Sequence, residues 1–269
     1  MTSANDPAGV AEQYDTDRHL TTRIQTHRLY SVGTDLEEQI DALLALDGSE
    51  SLLDVGSGPG HFPARLSAAG HRGRVVGGDL AGGMVAAARA RYSGVEFAQA
   101  GADALPFPDA SFDVLTARHM LYHVPSVPAA LAEFRRVLKP GGRFLATTNV
   151  AAYMPELWAA VAEAARSESA LEALADTSGN VAAAFSETNG EAWVREAFGN
   201  AQLQISNDAL VFPGPEPVLA YLESVPAWLN LNAAQKLSGH EALNRVLHSR
   251  CVGGPWTVSK RTAFITARR

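Results

Sequence analysis

Short apolar runs alternate with amphipathic stretches through the middle of the chain. The runs predict strands at about 51–55, 74–78, 95–98, 112–117 and 142–149, with helices at about 61–69, 82–91 and 127–138. Strands this short and apolar, separated by helices, imply a mostly parallel sheet buried on both faces with right-handed crossovers. Upstream, residues 1–10 are small and polar and read as disordered. Ala11 to about Ser31 is amphipathic and helical, carrying Tyr14, Arg18, Arg23, His27 and Tyr30. A second helix is predicted from Asp35 to Leu46, with Leu36, Ile40, Leu43, Leu44 and Leu46 on its apolar side. Asp47-Gly48 would close it, since glycine suits a helix C-cap.

After Asn149 the texture changes. Residues 153–198 are rich in Ala and Glu and predict helices, with a break at Thr177-Ser178-Gly179-Asn180. A strand is predicted from Gln202 to Phe212, helices from Glu216 to Leu229 and from Ala233 to Val252, and a last strand from Trp256 to Ala267. About forty residues separate these last two strands, long for a loop, so an inserted helical lid is expected between them. The organisation read from this is 1–48 as N-terminal cap helices, 49–150 as a ligand-binding core, and 151–269 as lid segments plus the sheet-closing strands.

The chemistry concentrates where strands end. Leu52-Leu53-Asp54-Val55-Gly56-Ser57-Gly58-Pro59-Gly60-His61-Phe62 is a buried strand entering a turn with three glycines spaced G-x-G-x-G. Only a backbone without Cβ makes such a turn and lets a ligand lie against it. A dinucleotide fold places its third glycine one position later, where this chain has His61. A second run, Arg74-Val75-Val76-Gly77-Gly78-Asp79, ends in an acid nineteen residues after Gly60, suited to accepting both hydroxyls of a ribose. Then come Gly101-Ala102-Asp103-Ala104-Leu105-Pro106-Phe107 and, later, Leu138-Lys139-Pro140-Gly141-Gly142-Arg143-Phe144.

Together these four segments resemble, in order and spacing, the motifs of the class I S-adenosylmethionine (SAM)-dependent methyltransferases, in their small-molecule and quinone methyltransferase branch. The resemblance is close over residues 49–150. It implies an α/β, Rossmann-like, doubly wound, seven-stranded, mostly parallel sheet with N-terminal cap helices and a helical lid. It implies SAM as cofactor, with S-adenosylhomocysteine as product. Asp79 would bind the ribose, with Leu80 and Met84 beside it. Gly101, Ala102, Asp103 and Ala104 would face the adenine. Aligned on Leu105-Pro106-Phe107, the family's adenine-binding Asp falls on Gly101, and Asp103 stands two places later. Asp54, Gly56, Ser57, Gly58 and Gly60 would hold the amino-acid end of the cofactor, with Tyr14 and Arg23 at its carboxylate, and Arg118 on the cofactor or on a core carboxylate.

The segment Thr116-Ala117-Arg118-His119-Met120-Leu121-Tyr122-His123 resembles the family stretch that faces both cofactor and acceptor. His119 and His123 are candidate bases, since neutral imidazole titrates near working pH. The alternative for His123 is a helix cap or a partner for a buried backbone group. The Asn/Asp-Pro-Pro-Tyr motif of enzymes that methylate amino groups of bases and glutamine is absent, which disfavours those substrates. Methyl transfer is an in-line displacement in which orientation supplies most of the catalysis and a base is optional.

Composition narrows the partners. A net charge of −7 argues against nucleic acid. Cys251 is the only cysteine, which excludes an internal disulfide and suits a reducing compartment. With no signal-like N-terminus and no long apolar window, a cytoplasmic protein that does not enter a membrane is expected. His119 and His123 stand at H-x₃-H spacing, but no Glu follows His119 and no third ligand is near, so no metal is assigned. The reading is a methyltransferase acting on O, N or C of a small-molecule acceptor, as monomer or homodimer. Its rivals are a SAM-binding enzyme of this fold that transfers no methyl, an NAD-type oxidoreductase, and a binding protein without turnover.

Overall fold

A computed structural model describes residues 17–175 and 184–269. Tyr14 and the break expected at Thr177–Asn180 lie outside the described residues. An opening helix, α1 (Asp17–Tyr30), leads into a two-residue strand, β1 (Ser31–Val32), and α2 (Leu36–Leu44). The alternating core follows as β2 (Leu52–Val55), α3 (His61–Ala68), β3 (Val75–Asp79), α4 (Gly82–Arg91), β4 (Glu96–Gln99), β5 (Phe112–Arg118), α5 (Val127–Val137) and β6 (Leu138–Asn149). Beyond it lie α6 (Pro155–Ala165), α7 (Glu172–Ala175), α8 (Gly190–Phe198), β7 (Gln202–Phe212), α9 (Pro215–Leu222), α10 (Pro226–Leu229), α11 (Ala233–Arg250) and β8 (Trp256–Arg268).

The sheet order is β1-β7-β8-β6-β5-β2-β3-β4. Strands β6, β5, β2, β3 and β4 are parallel, while β8, β7 and β1 add antiparallel pairings. The sheet therefore has eight strands where seven were expected. The eighth is β1, which the sequence pattern assigns to the end of α1. Ser31 and Val32 leave the helix and pair with Leu210 and Ala209. Other boundaries also move. Strand β6 starts at Leu138, before its glycine turn, with a register shift against β5 between Phe112 and Val114. Helix α2 stops at Leu44, capped by Ala45 at φ 44° rather than by Gly48. The helix expected over 216–229 is two helices, α10 restarting with Pro226 at its first position.

Side chains alternate between faces along each strand. Leu52, Val75, Val114 and Leu145 pack on Ile40 and Leu44 of α2 and Phe62 and Leu66 of α3. Leu53, Val76, Leu115 and Ala146 pack on the opposite face against Leu131 and Phe134 of α5 and Val194 and Phe198 of α8. The β7–β8 hairpin pairs beyond the last β6 partner, Thr262, as far as Phe212 opposite Trp256. That projecting end carries Leu210, Phe212 and Val258 into a second core. There Leu157 and Val161 of α6, Leu222 of α9, Trp228 of α10 and Leu243 and Leu247 of α11 are all buried. The inserted helices thus pack around the hairpin tip, past the carboxyl ends of the parallel strands.

Candidate functional site

At the carboxyl end of β2 the chain turns through Gly56 (φ 71°), Gly58 (φ 53°) and Gly60 (φ 80°), conformations that favour glycine. The amides of Gly56 and Ser57 both donate to the Gly78 carbonyl, at 2.7 and 3.0 Å. A side chain at Gly56 would strike Met120, and one at Gly60 would strike the Phe97 ring, each at 2.6 Å. Gly60, not position 61, is thus where the turn approaches its neighbours closely. His61 instead opens α3 with its Nδ1 2.8 Å from the Tyr92 hydroxyl. Over Gly58 the space is open except for Leu20 of α1, 3.6 Å from where a Cβ would stand. The turn is a cradle with a helix laid across it.

Asp79 ends β3 and braces that cradle. Its Oδ2 accepts the Gly58 amide at 2.7 Å and its Oδ1 the Ala81 amide at 2.9 Å. Each oxygen retains acceptor capacity. Burial pushes its carboxyl above the usual range, against those amides. Leu80 follows, its Cδ1 4.0 Å from where a Gly101 Cβ would be, and Met84 is fully buried on α4. Gly101 and Ala104 close a small loop by a bridge, with Ala102 buried inside it. The exposed Asp103 folds back so that its Oδ1 lies 3.1 Å from the Cβ position of Gly101. Its carboxylate therefore lies beside Gly101, two residues earlier.

Asp54 lies beneath the turn, 1 % exposed. Thr116 Oγ1 donates to its Oδ1 at 2.7 Å, and Arg118 Nε stands 3.7 Å away. Its Oδ2 is buried with no partner among the described residues. Burial raises the carboxyl to about 6, and Arg118 and Thr116 oppose the rise. Arg118 is held in turn by Glu37 Oε1 at 2.7 Å and stacks 4.2 Å over the Phe62 ring. Arg118 is thus engaged with core carboxylates.

Past β5 the backbone turns sharply. His119 has φ 50°, and its amide donates to the Thr147 carbonyl at 2.9 Å. His123 closes a single 3₁₀ turn, Leu121–His123, with its ring 4.5 Å from that of Tyr122. The two histidines therefore do not share a helical face. Among the described residues no group of three or more His, Cys, Asp or Glu could hold a metal. Three imidazoles gather around this corner. His27 Nε2 lies 3.1 Å from the Tyr153 hydroxyl, and its ring meets Tyr221 edge-on at 5.7 Å. Burial, with Lys260, His119 and Arg23 nearby, lowers His27 to about 3. Burial, Arg118 and Lys260 lower His119 to about 3. Burial and Arg23 lower His123 to about 4. All three are neutral at pH 7.

Helix α1 links the two halves of the site. Leu20, Arg23 and His27 recur at helical spacing, so one face runs from the glycine turn to the histidine corner. Arg23 Nη1 donates to the Ser224 carbonyl in the lid. Glu37, Thr116, Phe97, Tyr153, Tyr221 and Lys260 were not singled out from the sequence. Thr116 was accessible, since it precedes Arg118 by two in a strand and so shares its face. The lid tyrosines and Lys260 carry no motif.

Residues 53–146 match the methyltransferase domain family. The chain is 42 % identical over 100 residues to a ubiquinone/menaquinone biosynthesis C-methyltransferase of Brucella anthropi, covering 35 % of this chain and 38 % of that protein. The chain spans about half the length, or less, of the curated relatives it matches. Among solved structures, a methyltransferase-like protein from Bacillus halodurans superposes with a TM-score of 0.58 at 22 % identity, over 88 % of this chain and 99 % of that one. The 4+2 cyclase SpnF superposes with a TM-score of 0.57 at 19 % identity, over 97 % and 95 %. These two likenesses show the fold. Among the described residues no helix is long and apolar enough to cross a membrane.

Proposed function

We propose that this chain transfers a methyl group from SAM to a small-molecule acceptor, an enzyme of the cytoplasm built as cap (1–48), cofactor core (49–150) and lid with closing strands (151–269). The observation that carries the reading is the unpartnered, buried Asp54 Oδ2 beneath a glycine cradle whose other wall is Asp79. A buried carboxylate oxygen without a donor costs about 1–3 kcal/mol, which a bound ammonium offsets. The amino-acid end of SAM brings one. Bound there, SAM supplies an electrophilic methyl group on a sulfonium, ready for in-line displacement.

The chain's own residues then position and enclose. Asp79 accepts from the ribose hydroxyls with the lone pairs its amides leave free. Leu80, Met84, Gly101, Ala102 and Ala104 form the adenine rim, with Asp103 accepting from the exocyclic amine. Gly56, Ser57, Gly58 and Gly60 expose backbone to the amino-acid end, and Arg23, with Tyr14, receives its carboxylate. Arg118 and Thr116 keep Asp54 charged. His119 and His123 are neutral, but imidazoles held at about 3 and 4 are poor proton acceptors at pH 7. Their role is to orient the acceptor by hydrogen bonds.

The relatives include ubiquinone/menaquinone biosynthesis C-methyltransferases, and the same fold serves a cyclase, so turnover decides between readings. Incubation with SAM and a panel of phenols, quinols and amines should release S-adenosylhomocysteine in step with methylated product. Tight SAM binding without such release from any acceptor would favour the reading of a SAM-binding enzyme of this fold that transfers no methyl.

A further inference from the structure

We propose that the acceptor is held through an anionic oxygen, a phenolate or enolate, received by His27 Nδ1–H and the Lys260 ammonium. The inference rests on the methyl-transfer reading and adds the substrate's chemistry. The Tyr153 hydroxyl is buried, and burial holds it far above its usual range, so it keeps its proton. It stands 3.1 Å from His27 Nε2, and in the proposed arrangement its O–H donates there. In that arrangement the ring proton lies on Nδ1. His27 Nδ1 is buried and has no partner among the described residues. An unpaired buried N–H in a lid-covered corner requires an acceptor atom, and the bound molecule is the candidate to bring it.

Lys260, Arg23 and Arg118 bring positive charge to this corner, and Asp35 and Asp208 face Lys260. From β8, Lys260 is 6 % exposed, with its Nζ 3.0 Å from Ser31 Oγ, and it acts on both His27 and His119. From α1, Arg23 donates to a backbone carbonyl and makes no ion pair among the described residues. From β5, Arg118 is already paired with Glu37 and Asp54. Tyr122, Tyr153 and Tyr221 contribute no charge. Asp208 and Asp35 act on Lys260 without an ion pair to it, and burial still lowers its ammonium. The imidazoles cannot retain a proton taken from the acceptor. An oxygen acidic enough to arrive ionised needs no base, and a partly desolvated ammonium would hold it.

The probe is 4-nitrophenol, titrated from pH 5 to 8 against protein saturated with S-adenosylhomocysteine, with phenolate absorbance as readout. The bound dye should ionise about one pH unit or more below the free dye. Lys260→Met should return the midpoint to the free value, and Lys260→Arg should preserve the shift, which separates charge from packing. His27→Gln should weaken dye binding about tenfold and leave S-adenosylhomocysteine affinity unchanged. A bound dye that ionises at or above its free midpoint, an unaltered shift in Lys260→Met, or no dye binding to the loaded protein would each overturn the proposal. Failure to load S-adenosylhomocysteine would instead sink the methyl-transfer reading.

Discussion

Lowering pH from 7 to 5 should destabilise this protein through three particular rings. His27, His119 and His123 have folded values of about 3, 3 and 4, below the 6.5 of an unfolded histidine. For groups depressed by folding, the stabilising contribution is complete above about pH 6.5 and declines as pH falls toward the folded values. At pH 5 the unfolded chain holds about 2.8 more protons on these rings than the folded one. Asp54 works the other way. Its folded value of about 6 lies above the 3.8 of a free carboxyl, so folding takes up about 0.8 proton there. Over these four groups the net is about two protons, or about 2.7 kcal/mol per pH unit near pH 5, and Asp79, raised by burial like Asp54, reduces it. The rings are not wholly enclosed, and halving for solvent screening leaves about one proton. Carboxylates lowered by their partners, such as Asp113 at about 2, titrate below this window. Urea unfolding at pH 7, 6 and 5 measures the slope, and replacing the three histidines with glutamine should flatten or invert it. A wild-type slope near zero, or one unchanged in the triple variant, would refute the argument that the corner is dry and cationic.

Other consequences follow from single contacts. Gly60→Ala combines a left-handed φ with a Cβ 2.6 Å from the Phe97 ring, and should cost about 2–4 kcal/mol in thermal unfolding. Thr116→Val removes the hydrogen bond that Thr116 Oγ1 donates to Asp54 Oδ1, so the carboxyl should rise above about 6 and the acid limb of SAM binding should move to higher pH in a calorimetric series. Asn232→Ala deletes the capping box with Gln235 that starts α11, and should lower stability by about 1 kcal/mol in urea unfolding.

The parallel core was legible because β2, β3 and β5 are short apolar runs that carry Asp54, Asp79 and Arg118 at or next to their ends. β1 was not, because two residues carry no period, and their pairing depends on a β7 strand far away in sequence. The Gly101–Ala104 loop, proposed as the adenine rim, was half legible. Asp103 stood two places from its expected position, and only the fold of the Gly101–Ala104 loop brings its carboxylate back. The corner proposed to hold the acceptor was the least visible. His27, Tyr153, Tyr221 and Lys260 come from four elements, and nothing local in the sequence says that they meet. The polar function of Lys260 is hidden in a strand that otherwise reads as core.

The most direct test of the account is calorimetric titration with S-adenosylhomocysteine and with NADH, on the wild type and on Asp79→Ala. The account predicts tight binding of S-adenosylhomocysteine, weakened at least tenfold in the variant, and no binding of NADH. Binding of NADH alone, or S-adenosylhomocysteine binding indifferent to Asp79, would contradict it.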